Sequence, residues 1–261
     1  MLIVGLLMII PFIIMISASL KNQAMVFDNP LTSIIPDQII WDNYLNVFRD
    51  EYYFGWYFNS FRVVALTILL RGILVTMAAY AFAKIEFKFK NLIFMIFIST
   101  MMITPDTTIV SRFLFYNTIH LSNSFWALVI PAAFDVYFIF MLRQFMQSIP
   151  KELSEAAIVD GCGHFRIYYR IILPLMKPPL VTMILFTFIW LWNDYANPYV
   201  FISDIKSQTL TVGLTTFQGL GGANVALQMA GATLAILPSI FIFTIFQRYF
   251  VEGIASSGIK G

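Results

Sequence analysis

Charged residues are scarce in this sequence. Only 11% of the 261 residues are charged, and the net charge is +2, whereas an average soluble domain carries about 25% charged residues. A charge balance this small gives no sign of a nucleic-acid partner, which requires clustered positive charge. The scarcity of charge also indicates that water is not the main solvent of this chain.

Cysteine and histidine are scarce as well. The single cysteine, Cys162, excludes an intramolecular disulfide and a cysteine-cluster metal site, and we interpret it as a small apolar residue. The two histidines, His120 and His164, are isolated, with no second ligand or base at helical spacing. Acidic residues are scattered singly, which does not favour a membrane enzyme. The sequence predicts no metal site and no catalytic residue.

Apolar residues, in contrast, make up 59% of the chain and form six long runs. Each run is near the length of about 20 residues that a helix needs to cross a hydrocarbon core. Lipid offers the backbone no hydrogen-bond partners, so the runs predict helices. They are Met1 to Leu20, Trp56 to Ala83, Asn91 to Val110, Ser124 to Met146, Pro179 to Ile202 and Leu227 to Val251. The fold class predicted is an all-α integral membrane protein with six transmembrane helices.

The first run has a second interpretation, a secretory signal, because small residues follow its apolar core. It lacks a basic leading segment and five further runs follow, so a membrane span is favoured.

The lysines and arginines predict the orientation, because basic residues are retained on the cytoplasmic side. Of the sixteen, ten lie in loops of one side: Lys84, Lys88, Lys90, Arg143, Lys151, Arg166, Arg170, Lys177, Arg248 and Lys260. Four lie in loops of the other side, Lys21, Arg49, Arg112 and Lys206, and Arg62 and Arg71 lie inside the second run. This bias predicts that both termini and the loop 147–178 are cytoplasmic.

The loop 147–178, which we call the handle, is long for a connection between membrane helices. Pro150 suits the first turn of a helix, and Glu152 complements its positive end. Asp160-Gly161 predicts a stop at which the glycine takes a positive φ. A short helix from Pro150 to Asp160 is therefore expected.

A second helix is expected after this stop. Its apolar side chains follow the spacing of one helical face, and they are Phe165, Tyr168, Tyr169 and Ile172. Leu173-Pro174 would end the helix. Two helices joined at a glycine would form a rigid unit whose tip presents Glu155, Ala156 and Ala157 to a partner.

The handle resembles the EAA loop of ABC importer permeases at every fixed position of that motif. Those positions are Glu155-Ala156-Ala157, Gly161, Ile171 and Leu173-Pro174. Four further stretches extend the resemblance to nearly the whole chain and are similar to carbohydrate importers of the maltose type. They are Ala79 to Lys84, Ile149 to Leu153, Trp192-Asn193-Asp194 with Pro198, and Phe246 to Val251 with the glycine-containing tail. The chain resembles the shorter of that family's two permeases.

The resemblance implies a type I ABC importer permease fold in the inner membrane of a bacterium or archaeon. It divides the chain into a first transmembrane helix and outer loop at 1–55, a core domain with five transmembrane helices at 56–251, and a cytoplasmic tail at 252–261. Relatives of this type usually begin with a basic stretch, whereas Met1 opens directly into apolar sequence. We therefore expect either a misassigned start or a trimmed chain.

The implied function is to carry a sugar or oligosaccharide across the membrane. The implied partners are a second homologous permease, two ATPase subunits, an extracytoplasmic sugar-binding protein and membrane lipid. ATP and Mg would be bound by the ATPase, so this chain would be neither an enzyme nor a cofactor-binding protein. A permease for a non-sugar solute is an alternative. A secondary transporter is a weaker one, because no inverted repeat is detected.

The resemblance also implies site residues. Coupling to the ATPase is assigned to Glu155, Ala156, Ala157, Asp160, Gly161, Ile171, Leu173 and Pro174. The tail residues Glu252, Gly253 and Gly261 would approach the ATPase dimer. An outer stretch would contact the binding protein or serve as a plain connector, and it comprises Gln218, Gly219, Leu220, Gly221, Gly222 and Asn224. It lacks the Lys-Ser/Thr ending of a phosphate-binding loop.

Polar and aromatic residues of the fourth and fifth runs are candidates for a sugar pathway, which needs hydrogen-bonding groups and aromatic faces. These candidates are Asp135, Tyr137, Trp190, Trp192, Asn193 and Asn197. Ionisable residues in or near apolar runs are functional-site hypotheses by default, and here they are Arg62, Arg71, Asp106, Asp135 and Asp194. For these, pairing between helices or subunits and a place in the pathway both remain open.

Overall fold

A computed structural model describes residues 2–26, 36, 38–219 and 222–258 of the chain. Helices make up nearly all of the regular structure in those ranges. The α-helices are α1 Leu2–Ser19, α2 Asp42–Arg49, α3 Tyr53–Lys84, α4 Lys90–Thr100, α5 Ile109–Thr118, α6 Trp126–Ala133, α7 Val136–Ser148, α8 Lys151–Val159, α9 His164–Ile167, α10 Leu173–Leu175, α11 Lys177–Trp192, α12 Ala196–Phe201, α13 Leu210–Gly213 and α14 Val225–Gly258.

Short elements connect these helices. They are 3₁₀ turns at Gln23–Met25, Pro105–Thr108, Ile205–Ser207 and Leu214–Phe217, and a π-helical turn at Tyr168–Ile172. Strands β1 Gln218–Gly219 and β2 Gly222–Ala223 form one antiparallel pair, in which Gln218 is opposite Ala223. Apart from this small hairpin, the predicted helical class is confirmed.

Three stretches among the described residues are each long and apolar enough to cross a membrane without a sharp bend. They are Tyr53–Lys84, Trp126–Ser148 and Val225–Gln247. Two further pairs of helices pass the same test only as bent units, Lys90–Thr100 with Pro105–Thr118 at 85° and His164–Leu175 with Lys177–Trp192 at 79°. Helix α1 is apolar throughout, and its stretch Leu7–Ser19 is shorter.

The third, fourth and fifth runs, each predicted as one helix, are interrupted. The third divides into α4 and α5 at Thr104-Pro105, where Thr104 is extended and Pro105 begins a new turn. The fourth divides at Phe134 and Asp135, which are both extended. The fifth divides into α11 and α12 after Trp192. At 16 residues and about 1.5 Å per residue, α11 is shorter than a hydrocarbon core.

The chain folds into two compact units that interleave along the sequence. Unit 1 comprises Met1–Phe61 and Trp192–Phe241, and unit 2 comprises Arg62–Leu191 and Ile242–Gly261. In unit 1, Trp56 is 1% exposed, and its indole N–H donates to the carbonyl of Ile205 at 2.6 Å. Gly213 lies against this ring, and a Cβ there would fall 2.1 Å from it. Only glycine fits at that position.

In unit 2, one apolar core joins α3, α7 and the handle. The core includes Val75 and Ala79 of α3, Phe138 and Leu142 of α7, and Ile172 of the handle, and all five are fully buried. The handle therefore packs on the membrane helices of unit 2 and does not hang from them as a free loop.

Candidate functional site

The first limb of the handle is α8, Lys151–Val159, one residue shorter at each end than the predicted helix. Its end confirms the predicted stop. Gly161 has φ +79, its N–H donates to the carbonyl of Ile158, and the N–H of Cys162 donates to the carbonyl of Ala157, both at 2.9 Å. These two bonds form a Schellman motif, which needs a left-handed residue at the position of Gly161.

The second limb runs from α9 through the π turn to α10. In the π turn the N–H of Leu173 donates to the carbonyl of Tyr168. Pro174 follows and has no N–H to donate to the preceding turn of a regular α-helix, which accounts for a widened turn before it. The helical segment continues past Pro174 and ends at Leu175, which corrects the expectation that Leu173-Pro174 ends it.

The π turn also changes which side chains face the core. The predicted apolar face is wrong in half of its members, because Phe165 and Tyr169 are 70% and 63% exposed. The buried residues of the second limb are Ile167, Tyr168, Ile172 and, just beyond it, Met176. A π turn inserts one residue into the helical repeat, so spacing rules for a regular α-helix no longer hold across it.

Hydrogen bonds connect the handle to α3. The hydroxyls of Thr76 and Tyr168 are 2.7 Å apart, and the ring of Tyr80 packs against that of Tyr168 at 5.4 Å. At the start of the handle, Lys84 Nζ donates to the carbonyl of Ile149 at 2.7 Å. The handle and α3 are therefore connected by hydrogen bonds at both ends of this contact.

Sequence reasoning missed these fastening residues, although a signal for some of them was present. Tyr80 and Lys84 lie in the stretch Ala79 to Lys84, which carried part of the family resemblance. No sequence pattern predicted the hydrogen bond between Thr76 and Tyr168 of the π turn.

The tip of the handle is exposed and partly apolar. Glu155 and Ala156 are exposed as predicted, whereas Ala157 is only 6% exposed and packs into the core of unit 2. The exposed apolar side chains of the handle are Leu153, Ile158 and Val159 on the first limb, which the sequence analysis did not select, and Phe165 and Tyr169 on the second. Val159 is 87% exposed. Of the other motif residues, Ile171 and Leu173 pack partly against the core, and Pro174 is exposed.

Arg71 ties three membrane helices of unit 2 together. Its guanidinium lies 3.2 Å from the carboxylate of Asp135, donates to Thr187 Oγ1 at 2.7 Å, and donates from Nε to the carbonyl of Ala132 at 3.0 Å. Asp135 also accepts the N–H of Tyr137 at 3.0 Å and so caps α7. The carbonyl at the end of α6 and the first turn of α7 both gain partners, which stabilises the break in the fourth run.

The other two pathway candidates of unit 2, Tyr137 and Trp190, lie near each other. Their ring centroids are 6.0 Å apart, and the side chains are 40% and 47% exposed. They present an accessible aromatic surface beside the Arg71–Asp135 pair.

The pathway candidates of unit 1 differ in exposure. Trp192 is 3% exposed, and its indole N–H donates to the carbonyl of Ala235 at 2.9 Å, so its role within unit 1 is structural. Asn193 is exposed. Asn197 donates from its side chain to Asp194 Oδ2 at 2.8 Å and from its backbone to Oδ1 at 3.2 Å. Asp194 thus has a local structural function at the start of α12.

The outer stretch and the tail are described only in part. Gln218, Gly219 and Gly222 belong to the β1–β2 hairpin, and Asn224 follows it, whereas Leu220, Gly221 and Gly261 lie outside the described residues. Glu252 and Gly253 lie on α14, which continues to Gly258. The expected separate tail at 252–261 is therefore, up to residue 258, a continuation of the last helix.

Comparison with known proteins decides the family. Residues 72–256, which include the second part of α3, α4 to α13, the handle and most of α14, match the family described as binding-protein-dependent transport system inner membrane component. The chain belongs to this family. It is thus an inner-membrane permease of a binding-protein-dependent ABC importer, as the resemblance of the handle indicated.

Relatives match the permease over nearly its full length. It is 31% identical over 97% of its chain to the arabinooligosaccharides transport system permease protein AraQ of Halalkalibacterium halodurans, of which 91% is covered. It is 32% identical over 98% of its chain to the sn-glycerol-3-phosphate transport system permease protein UgpE of Yersinia enterocolitica, of which 94% is covered.

A solved structure supports the fold. It is the crystal structure of a bacterial ABC transporter involved in the import of the acidic polysaccharide alginate, with a TM-score of 0.85 and 23% identity over 95% of the permease and 92% of that chain. The type I ABC importer permease fold is thereby confirmed.

Proposed function

We propose that this permease forms half of the membrane channel through which an ATP-driven importer moves a sugar or oligosaccharide. In this proposal it pairs with a second homologous permease, two ATPase subunits hydrolyse ATP with Mg, and an extracytoplasmic binding protein delivers the solute. No ATP or Mg is bound by this chain. The similarity to AraQ, an arabinooligosaccharides transport system permease protein, supports a saccharide solute.

The proposed topology has six spans with both termini in the cytoplasm. The spans are α1, α3, α4 with α5, α6 with α7, α11 with α12, and α14. Broken helices are tolerated at membrane depth where they are buried in protein or line a cavity. At the break between α6 and α7, Arg71 and Asp135 supply hydrogen bonds to backbone groups on either side, which compensates for the interrupted helix.

The observation that carries the proposal is the handle. Its first limb exposes Leu153, Ile158 and Val159 together with the small side chain of Ala156, and its second limb exposes Phe165. A patch of exposed apolar side chains marks an interaction site. Since the handle would lie in the cytoplasm and matches the EAA motif, we assign this patch to the ATPase, with the tail residues Glu252, Gly253 and Gly261 nearby.

The contacts of the handle would transmit movement of the ATPase to the membrane helices. The first limb is held at a fixed angle by the Schellman motif at Gly161, and the second limb is hydrogen-bonded and packed onto α3. Movement of the ATPase would therefore be passed to α3, and through Arg71 to the break between α6 and α7.

The solute pathway is proposed to pass the aromatic pair Tyr137 and Trp190. Aromatic faces with a few polar groups are typical of small-molecule sites. The buried Arg71 is already paired with Asp135, so this part of unit 2 offers an anionic solute no net positive charge. A neutral saccharide is favoured for that reason. The outer stretch around Gln218 and Asn224 is proposed to contact the binding protein.

Transport by the reconstituted complex tests this function. The complex of both permeases and both ATPases is placed in proteoliposomes with ATP inside and the binding protein outside, and uptake of labelled neutral oligosaccharides is compared with uptake of sn-glycerol 3-phosphate. We expect ATP-dependent uptake of a saccharide. Uptake of the phosphate ester alone would establish the alternative, a non-sugar solute, which the similarity to UgpE favours. ATP-independent uptake would contradict the importer assignment.

A further inference from the structure

Helix α2, Asp42–Arg49, lies between α1 and α3 and has three distinct faces. The first face is directed at α1 and carries Asn43, Tyr44 and the fully buried Val47. The second is exposed and polar and carries Asp42, Asn46 and Arg49. The third is exposed and apolar and consists of Trp41, immediately before the helix, with Leu45 and Phe48, which are 64%, 49% and 47% exposed.

The first face fastens α2 to the end of α1. The side-chain amide of Asn43 donates to the carbonyls of Ser19 and Lys21 at 2.8 and 2.9 Å. The hydroxyls of Tyr44 and Ser19 are 2.7 Å apart, and the N–H of Ile40 donates to the carbonyl of Leu20 at 2.9 Å. Three consecutive carbonyls at and just beyond the end of α1 are thus hydrogen-bonded to α2 and the residues before it. The position of α2 relative to the end of α1 is set by these bonds.

The apolar face continues onto α3. The ring of Phe48 stacks on that of Phe54 at 5.8 Å and 20°. From Phe54 the exposed residues proceed at helical spacing to Phe58 and Phe61, which are 64% and 58% exposed. Trp41, Leu45, Phe48, Phe54, Phe58 and Phe61 therefore form one stripe, which we call the aromatic stripe. It joins a short amphipathic helix to the first turns of a membrane span.

The chemistry of the aromatic stripe favours lipid as its occupant over a second protein chain. Interfaces between membrane helices are enriched in small residues that allow close approach, and the stripe has none. Aromatic rings concentrate instead at the boundary between headgroups and acyl chains. A helix with one apolar face and one charged face lies in the plane of that boundary, and Arg49 and Asp42 on the adjacent face would remain in the headgroup and water layer.

We infer that α2 is a membrane-interface anchor, whose aromatic stripe inserts into the outer leaflet and holds the ends of α1 and α3 at a fixed depth. The assignment to the outer leaflet rests on the proposed topology. Insertion into lipid depends only on α1 and α3 being spans, whichever side α2 occupies.

Photocrosslinking in a lipid bilayer tests the inference. Benzoylphenylalanine is placed at Leu45 or at Phe48 in the assembled importer, in nanodiscs of phosphatidylethanolamine and phosphatidylglycerol. Matched controls carry it one residue further on, at Asn46 or at Arg49, on the polar face. We expect phospholipid adducts from Leu45 and Phe48, detected by mass spectrometry, and a several-fold lower yield from both controls.

Each other result would overturn the inference. Adducts from Leu45 and Phe48 to the second permease or to the binding protein would show that protein covers the stripe, and equal lipid yields at all four positions would show that α2 has no preferred orientation. Oxidative footprinting of the unsubstituted complex provides a check if a variant does not assemble. Phe48 should be protected in nanodiscs, and oxidation of it as extensive as that of an exposed loop aromatic would place the stripe in water. Both readouts are independent of solute and of uptake.

Discussion

Replacing Gly161 with valine should uncouple the importer, and the structure allows the size of the effect to be worked out. The residue has φ +79, and a side chain there would meet nothing within 4 Å, so the cost arises from the backbone alone. A left-handed conformation costs an L-residue about 1–2 kcal/mol, and a β-branched one more. Leaving that conformation would instead break the two Schellman hydrogen bonds, at about 1 kcal/mol each.

Keeping the left-handed conformation or leaving it therefore costs about 2 kcal/mol in either case. This lowers the equilibrium constant for the native handle geometry roughly thirtyfold. The tip would then be presented at a different angle, while the membrane helices remain untouched. We expect sugar uptake in proteoliposomes to fall by a comparable factor, together with uptake-linked ATP hydrolysis, at unchanged membrane abundance. Asparagine at the same position should retain more uptake, because it tolerates positive φ better than valine does.

Gly163 provides a matched control two residues away. It has φ −73 and ψ 160, which any residue can adopt, and space around it is equally open. Gly163→Val should therefore leave uptake near the native value. Equal loss in the two variants, or normal uptake by Gly161→Val at normal abundance, would refute the argument that the left-handed turn sets the handle.

Three further predictions concern the membrane core, the topology and the assignment of catalysis. Arg71→Leu removes the partner of the carboxylate of Asp135 and should cost about 3–5 kcal/mol of stability, measured as a lower unfolding temperature of the purified complex. Arg62→Leu should lower the stability by less than about 1 kcal/mol, because that side chain is exposed and its guanidinium packs over the ring of Phe125. Equal decreases of the unfolding temperature in the two variants would contradict the importance of the buried Arg71–Asp135 pair. An impermeant maleimide should label Lys206→Cys from outside the cell and Val159→Cys only from the cytoplasm, and the reverse pattern would overturn the proposed topology. The purified single chain should hydrolyse no ATP, and measurable turnover would refute the assignment of catalysis to the partner.

Local signals in the sequence were sufficient for the first limb of the handle. Pro150 and Asp160-Gly161 act within one or two turns of the helix that they begin and end, so the bounds of α8 and the positive φ of Gly161 could be predicted. The EAA spacing likewise led to the family without structural knowledge.

The helix breaks and the second limb could not be predicted in the same way. Hydropathy averaged over a span does not register one extended pair such as Phe134-Asp135, which persists because Arg71, distant in sequence, supplies hydrogen bonds. Across Tyr168–Ile172, a π turn shifts the helical register, so the spacing of a regular α-helix does not hold there, and Tyr169 is exposed. Phe165, which precedes this turn, is exposed as well, and its spacing gave no sign of that. Pro174 and Pro105 were visible signals, but a proline alone does not say which irregularity results.

Docking of the exposed tip of α8 onto a separate ATPase can be measured directly by photocrosslinking. A maleimide-benzophenone, which needs no cysteine on the partner, is attached to an Ala156→Cys variant in the assembled complex, and the unsubstituted chain, whose one cysteine is Cys162, gives the background. We expect a permease–ATPase product above that background and its loss when the ATPase subunits are left out. Absence of this product in a complex that still transports, or a product with the second permease instead, would contradict this docking.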